Sequence, residues 1–162
     1  MSYDALASIW PLISPLADER PHAKRVDQRL RAALGPGEHT LLELGSGCGH
    51  ATCHLQEMGW RVTAVDLSEP MLERSRTLNP GVQHHRADVR TLALDQRFDA
   101  VALHDVAEHL VSEDDVRQAL AVARDHLRPG GVVLVNLIET SDRPEAATDA
   151  HAEADREALT IS

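Results

Sequence analysis

Residues 41–50 read Leu-Leu-Glu-Leu-Gly-Ser-Gly-Cys-Gly-His, and this stretch decides the fold. An apolar run from Thr40 to Leu44, broken only by Glu43, stops at Gly45. Gly47 and Gly49 follow at alternate positions, and helical periodicity takes over from Ala51 to Met58, ending at Gly59. Glycine directly after a strand permits a sharp turn and a close approach of backbone to a ligand. The helix that follows aims its free N–H groups at the same spot. A tight turn with no ligand needs none of this spacing, so the stretch is read as the binding turn of a parallel α/β unit.

Four further apolar runs read as strands: Arg61 to Val65, Val82 to Arg86, Phe98 to Leu103 and Val132 to Leu137. Most are continuous rather than alternating, as suits a parallel sheet covered on both faces. Helical patterns separate them. One runs from Glu19 to Leu34 with the stripe Ala23, Val26, Leu30, Ala33, Leu34; Asp18 is its expected cap, and Gly35-Pro36 stops it. Another runs from Ser68 to Leu78 and stops at Asn79-Pro80-Gly81. A last one follows Ser112, with the stripe Val116, Ala119, Leu120, Ala123, Leu127 and a capping-box-like pair, Ser112 and Asp115. Its acids Glu113, Asp114 and Asp115 suit the positive end of the helix dipole. The Pro129-Gly130-Gly131 step reads as a structural turn into the fifth strand. The expected architecture is a doubly wound, Rossmann-like α/β sheet of about five parallel strands. It forms a single domain: an N-terminal lid and helix over 1–36, a core over 37–140, and an acidic, Ala-rich tail over 141–162. The tail's stripe, Ala146, Ala150, Ala154 and Ala158, buries little, so it reads as a weakly docked helix or a mobile tail.

Composition narrows the function. The 162 residues fit one domain, and 26 acids against 16 bases give a net charge of −10, which repels phosphate backbones and anionic lipid. Aromatic residues make up 2%, so base-stacking platforms are nearly absent and no nucleic-acid partner is expected. No run of ~18 apolar residues suggests a membrane span. The opening MSYDALAS has no secretory pattern, and Cys48 and Cys53 do not make a disulfide framework, so a reduced, cytoplasmic setting is expected. His50 and His54 share a helix face, yet no third ligand with recognisable spacing accompanies them, and no metal is expected.

Two nucleotide-type readings compete for the turn. The dinucleotide fingerprint G-x-G-x-x-G would need glycine where His50 stands. The pattern present, E-x-G-x-G-x-G, resembles the first motif of class I S-adenosylmethionine-dependent methyltransferases of the small-molecule type. The resemblance extends from about Tyr3 to Leu137: RVTAVDLSEPML ends the second strand at Asp66, HHRADVRTL places Asp88 after the third, FDAVALHDVAEHL gives the fourth, and LRPGGVVLV announces the fifth.

The resemblance implies S-adenosylmethionine as cofactor and a small-molecule acceptor methylated on N, O or C. It implies Glu43 ordering the turn beside the methionine part of the cofactor, with Gly45, Gly47 and Gly49 around it. Asp66 would accept from both ribose hydroxyls and Asp88 from the adenine amino group, with Leu67 and Val89 as apolar walls. His104 borders the transferable methyl, and His104 and His109 are candidate bases, a role suited to imidazole near neutrality. The stretch YDALASIWPLISPL resembles a lid, to which Tyr3 and Trp10 belong, and Arg20 is a candidate for the cofactor carboxylate. The family fold continues past the fifth strand with two more strands, which residues 138–162 do not read as. Activity without them is therefore an open question, with a cofactor-binding module as the alternative and an NAD-linked oxidoreductase third. The same feature leaves the apolar fifth strand as an edge, for a second copy of the chain or further polypeptide to cover.

Overall fold

The computed structural model describes residues 3–103 and 110–135. Two short helices, α1 (Tyr3–Leu6) and α2 (Trp10–Ile13), and a 3₁₀ turn (Leu16–Glu19) lead into α3 (Arg20–Leu34). Then come β1 (His39–Leu44), α4 (His50–Glu57), β2 (Trp60–Asp66), α5 (Glu69–Leu78), β3 (Gln83–Arg86), β4 (Phe98–Leu103), α6 (Glu113–Asp125) and β5 (Leu127–Val135). The strands form one parallel sheet in the order β3-β2-β1-β4-β5. The chain therefore winds outward from β1 in both directions, and the switch point lies between β1 and β4, where open α/β sheets bind ligands.

Alternation along the strands divides two cores. Leu41, Val62, Ala100, Ala102, Val132 and Leu134 pack with Ala23, Val26 and Leu30 of α3 and Leu55 of α4. On the other face, Leu42, Leu44, Val65, Val101, Leu103 and Val133 pack with Phe98 and with Ala119, Val122 and Ala123 of α6. The expected fold is the one observed, with local corrections. Val116 of α6 is exposed and Val122 is buried, so the buried stripe of the helix is Ala119, Val122 and Ala123, while Leu127, counted into that stripe, is buried as part of β5. Ala33 is likewise exposed, so the stripe of α3 ends at Leu30 with Leu34 packed partly beneath it. Asp18 does not cap α3: it lies in the 3₁₀ turn, and the cap position is Glu19, without a side-chain bond. Ser112 does cap α6, accepting from Asp115 N at 3.1 Å, but its hydroxyl also donates to Asp115 Oδ2. β5 begins five residues early because Pro129-Gly130-Gly131 forms an irregularity in the ladder with β4 rather than a separate turn. A side chain at Gly131 would meet Leu127 Cδ2 at 2.9 Å and Asp99 O at 3.0 Å, so the step must be small. Residues 136–137 and the tail lie outside the described residues.

At the N-terminal ends of three strands, side chains tie the sheet together. Thr40 N and Thr40 Oγ1 both donate to Asp99 Oδ2 at 2.8 Å, and Asp99 N donates back to Thr40 Oγ1 at 3.0 Å. Arg128 Nη1 donates to Asp99 Oδ1 at 2.7 Å, which brings in β5. The opposite end of the sheet carries the glycine turn.

Candidate functional site

The turn after β1 is built by backbone bonds. Gly45 N and Ser46 N both donate to Val65 O, at 2.8 and 3.0 Å, so the turn hangs on the last residues of β2. Gly47 N donates to Asp66 Oδ2 at 2.8 Å, and Ser68 N donates to Asp66 Oδ1 at 2.8 Å. One carboxylate thus holds the turn after β1 and the start of α5 together. The structure brings together the two elements that sequence reading had placed in one site.

The glycines divide the work. Gly49, at φ +79°, stands where a Cβ would come 2.2 Å from Ser75 Oγ and 2.5 Å from Asn79 Nδ2. Its carbonyl accepts from Asn79 Nδ2 at 2.9 Å, and Gln56 Nε2 donates to Asn79 Oδ1 at 2.9 Å. Gly49 is therefore the point where α4 and α5 meet. Gly47, at φ +53°, is different: a Cβ there would meet nothing within 4 Å. The space over Gly47 is open to a ligand.

Beneath the turn lies Glu43, 1% exposed. Thr52 Oγ1 of α4 donates to its Oε2 at 2.5 Å. Burial pushes its carboxyl up to about 7 against the Thr52 bond, and the charges of Asp66 and Glu19 push the same way. Among the described residues, the buried side-chain atoms without a hydrogen-bond partner are Glu43 Oε1, Ser46 Oγ and His50 Nδ1. All three belong to the stretch 41–50. Orphaned buried polar atoms are costly and call for an explanation; a polar ligand at the turn is one. Cys48 packs with Ala7 and Met71, and burial pushes its thiol up to about 11, so it serves as an apolar contact.

The far side of the site is held by charge. Arg90 grips Asp88 through Nε to Oδ1 at 2.9 Å and Nη2 to Oδ2 at 2.6 Å, and its backbone N donates to Oδ1 at 2.9 Å. Its Nη1 reaches Asp115 Oδ1 at 2.7 Å, tying the loop after β3 to the first turn of α6. The Arg90 bonds hold the carboxyls of Asp88 and Asp115 below their ordinary value. Leu67 is 60% exposed beside Asp66, an apolar surface available to a ring. Val89 packs instead against the core on the α6 face.

The N-terminal segment lies against the turn. Ala7 packs on Cys48 and Met71, with Trp10 against them. Ser68 Oγ donates to Asp4 Oδ1 at 2.5 Å, Arg74 Nη2 donates to Ser8 O at 3.1 Å, and His54 Nε2 lies 2.8 Å from Leu16 O. An open groove of about 640 Å³ runs between this segment and α5, lined in part by Asp4, Cys48, His50 and Arg74. Arg20 is not brought to the turn: its Nη2 bonds Glu57 Oε2 at 2.6 Å, at the far end of α4. His104 and His109 lie outside the described residues, as does the side chain of Tyr3. Among the described residues no cluster of three or more His, Cys, Asp or Glu is placed to hold a metal ion, and no helix is long and apolar enough to cross a membrane. Thr52, Asn79 and Arg90 were missed from sequence. Only the resemblance of Asp88 to a ligand-facing acid pointed near Arg90, and nothing local marked the other two.

Comparison with known proteins identifies the family. The model of a family described as a methyltransferase domain matches residues 42–135. The cypemycin N-terminal methyltransferase of a Streptomyces species is 37% identical over 116 residues, 68% of this chain and 46% of that protein. The trans-aconitate 2-methyltransferase of an Azoarcus species is 32% identical over 140 residues, 80% of this chain and 54% of that protein. S-adenosylmethionine-bound CalS10, an amino pentose methyltransferase from Micromonospora echinaspora, superposes with a TM-score of 0.70 at 32% identity, over 76% of this chain and 52% of that one. The chain spans about half the length of these relatives.

Proposed function

The chain belongs to the methyltransferase domain family, and from that premise we propose that it binds S-adenosylmethionine at the glycine turn and directs its methyl group to a small-molecule acceptor. The observation that carries the reading is the bond from Gly47 N to Asp66 Oδ2, which joins the open glycine to the acid at the end of β2. The residues present fit the cofactor. Gly47 leaves room for its backbone approach, and the orphaned atoms of Glu43, Ser46 and His50 suit the ammonium and carboxylate of an amino-acid end. Asp66, held from two sides by N–H donors, accepts from the ribose hydroxyls. Leu67 lies along the adenine, and Asp88 takes the amino group in exchange for one of its Arg90 contacts. The N-terminal segment, pinned at Ser68 and Arg74, acts as a lid.

The bound cofactor supplies an electrophilic methyl on a sulfonium; the protein's share is orientation and exclusion of water. Holding the acceptor in line contributes ~7–11 kcal/mol, whereas a general base adds ~10²–10⁴-fold, so positioning dominates. His104 and His109 are the proposed bases, read by the loss of roughly 10²–10⁴ in kcat in their Gln variants at level cofactor affinity. An amine acceptor is favoured by the names of the relatives, which include an amino pentose methyltransferase and an N-terminal methyltransferase. A cytoplasmic setting and a second copy sealing the outer edge of β5 complete the proposal. Static light scattering that shows only monomer would remove the second copy.

Titration calorimetry with S-adenosylmethionine, S-adenosylhomocysteine and NAD tests the reading: the first two bind and NAD does not. Tighter binding of NAD than of S-adenosylhomocysteine overturns it. A second reading is cofactor binding without turnover. It is separated by transfer of a labelled methyl group to amino sugars and peptide amines, which it predicts to be nil.

A further inference from the structure

We infer that Glu43 makes the glycine-turn site selective for positively charged ligands, holding a proton while the site is empty and releasing it when a cation enters. The inference rests on the S-adenosylmethionine reading and deepens it.

The geometry begins with what surrounds Glu43. On β1 it stands between Ala64 of β2 and Ala102 of β4, so neither neighbouring strand offers a donor side chain at its level. From α4 it receives one neutral hydroxyl, that of Thr52. Among the described residues its Oε1 has no hydrogen-bond partner, in a residue 1% exposed. The other charges that act on it are Asp66 from the end of β2 and Glu19 from the 3₁₀ turn, and both are acids. Among the described residues, Arg20 and Arg74 are engaged elsewhere, Arg20 with Glu57 and Arg74 with the carbonyl of Ser8. A carboxylate in this setting lacks the paired charge that burial demands, whereas a neutral carboxyl loses less there. That is why burial carries this group up to about 7.

A ligand bearing a positive group supplies the missing partner. Its arrival favours the ionised form, and the proton leaves to solvent. A neutral ligand of the same shape gives no such return and leaves the proton in place. Binding of a cation therefore strengthens as pH rises toward 7 and levels off above it, while binding of a neutral nucleoside does not follow that course.

The test is calorimetric titration of the intact chain at pH 6.5 in two buffers of different ionisation enthalpy, with S-adenosylmethionine as the cationic probe and methylthioadenosine as the neutral one. Wild type should release most of one proton per S-adenosylmethionine bound, and its affinity should rise by up to about tenfold per pH unit below pH 7. Glu43→Gln, which keeps a partner for Thr52 but cannot ionise, should release none. The ratio of the two affinities should climb between pH 5.5 and 7.5 in wild type and stay flat in the variant. Buffer-independent heats in wild type, undiminished release in Glu43→Gln, or a flat ratio in wild type overturns the inference and leaves the cofactor reading standing. Failure of wild type to bind S-adenosylmethionine or S-adenosylhomocysteine overturns that reading and the inference with it. If Glu43→Gln does not fold, the two-buffer comparison and the affinity ratio in wild type decide alone.

Discussion

The regions around Glu43 and Asp88 are both expected to face the same ligand, yet they are held by opposite means. Glu43 sits under a turn fixed by backbone bonds and close packing, with one neutral donor and, among the described residues, no cation bonded to it. Asp88 stands in a half-exposed loop, where a single arginine occupies both its oxygens and reaches on to Asp115. The first region is fixed by packing at Gly49 and by backbone bonds to β2. The second is ordered by charge, which solvent and salt weaken. Rigidity and pH response should therefore belong to the turn, and salt response to the arginine.

The sharpest way to break that contrast is at the glycines. Gly49→Ala forces a Cβ against Ser75 and Asn79 at a positive φ, and should cost about 3 kcal/mol or more in urea denaturation. Gly47→Ala meets no neighbour. It should cost only ~1–2 kcal/mol of stability while abolishing detectable binding of S-adenosylhomocysteine. Equal stability losses at the two positions would contradict the division of roles.

Next in size is the pH response of the unliganded protein. Glu43 is raised from its ordinary value of 4.5 to about 7. Its contribution to stability is thus fully present below pH 4.5 and is lost as pH climbs through 7, an effect of up to about 3 kcal/mol. Asp88 and Asp115 are lowered, so their contribution is present above the ordinary carboxylate value and is lost as pH falls through their folded values. Glu43→Gln should flatten the decline between pH 5 and 8 and leave the acid limb unchanged; a decline that persists would remove Glu43 as its source. Asp66→Ala should weaken S-adenosylhomocysteine by ~1.5–3 kcal/mol, typical of charged hydrogen bonds. An unchanged affinity would take Asp66 out of the site. The smallest effect is expected for Arg90→Gln: a change in cofactor affinity within about fivefold, shrinking at high salt. A larger change, indifferent to salt, would mean that packing rather than charge orders Asp88.

The same contrast explains what could be read from sequence. The strands, the turn and Asp66 were legible because each is set within a few residues: continuous apolar runs, glycine after a strand, an acid at a strand's end. The stripe of α6 was drawn too long because Leu127 looks helical by spacing and is held in β5 by its pairing with Phe98; Val116, in the first turn of α6, lies outside the core that Ala119, Val122 and Ala123 enter. The start of β5 was misplaced because Pro129-Gly130-Gly131 usually ends a ladder and here is absorbed as an irregularity in one. Arg20 was expected to meet the cofactor carboxylate as a bidentate partner, but a long side chain takes whichever acid the packing of helices delivers, here Glu57. Thr52 and Asn79 escaped notice for the same reason, since their partners lie 9 and 30 residues away and only the packed fold introduces them.

The knot of Thr40, Asp99 and Arg128 fastens β1, β4 and β5 at the end of the sheet farthest from the glycine turn. It works as a hem: the fabric is secured along one border and left free to be recut along the other. Loops at the turn end can lengthen, shorten or exchange residues without disturbing a bond on which the register of the strands depends. The register of β1, β4 and β5 is thus kept by bonds that nothing bound at the turn end touches, while the turn's own packing, at Gly49 above all, stays part of the fold.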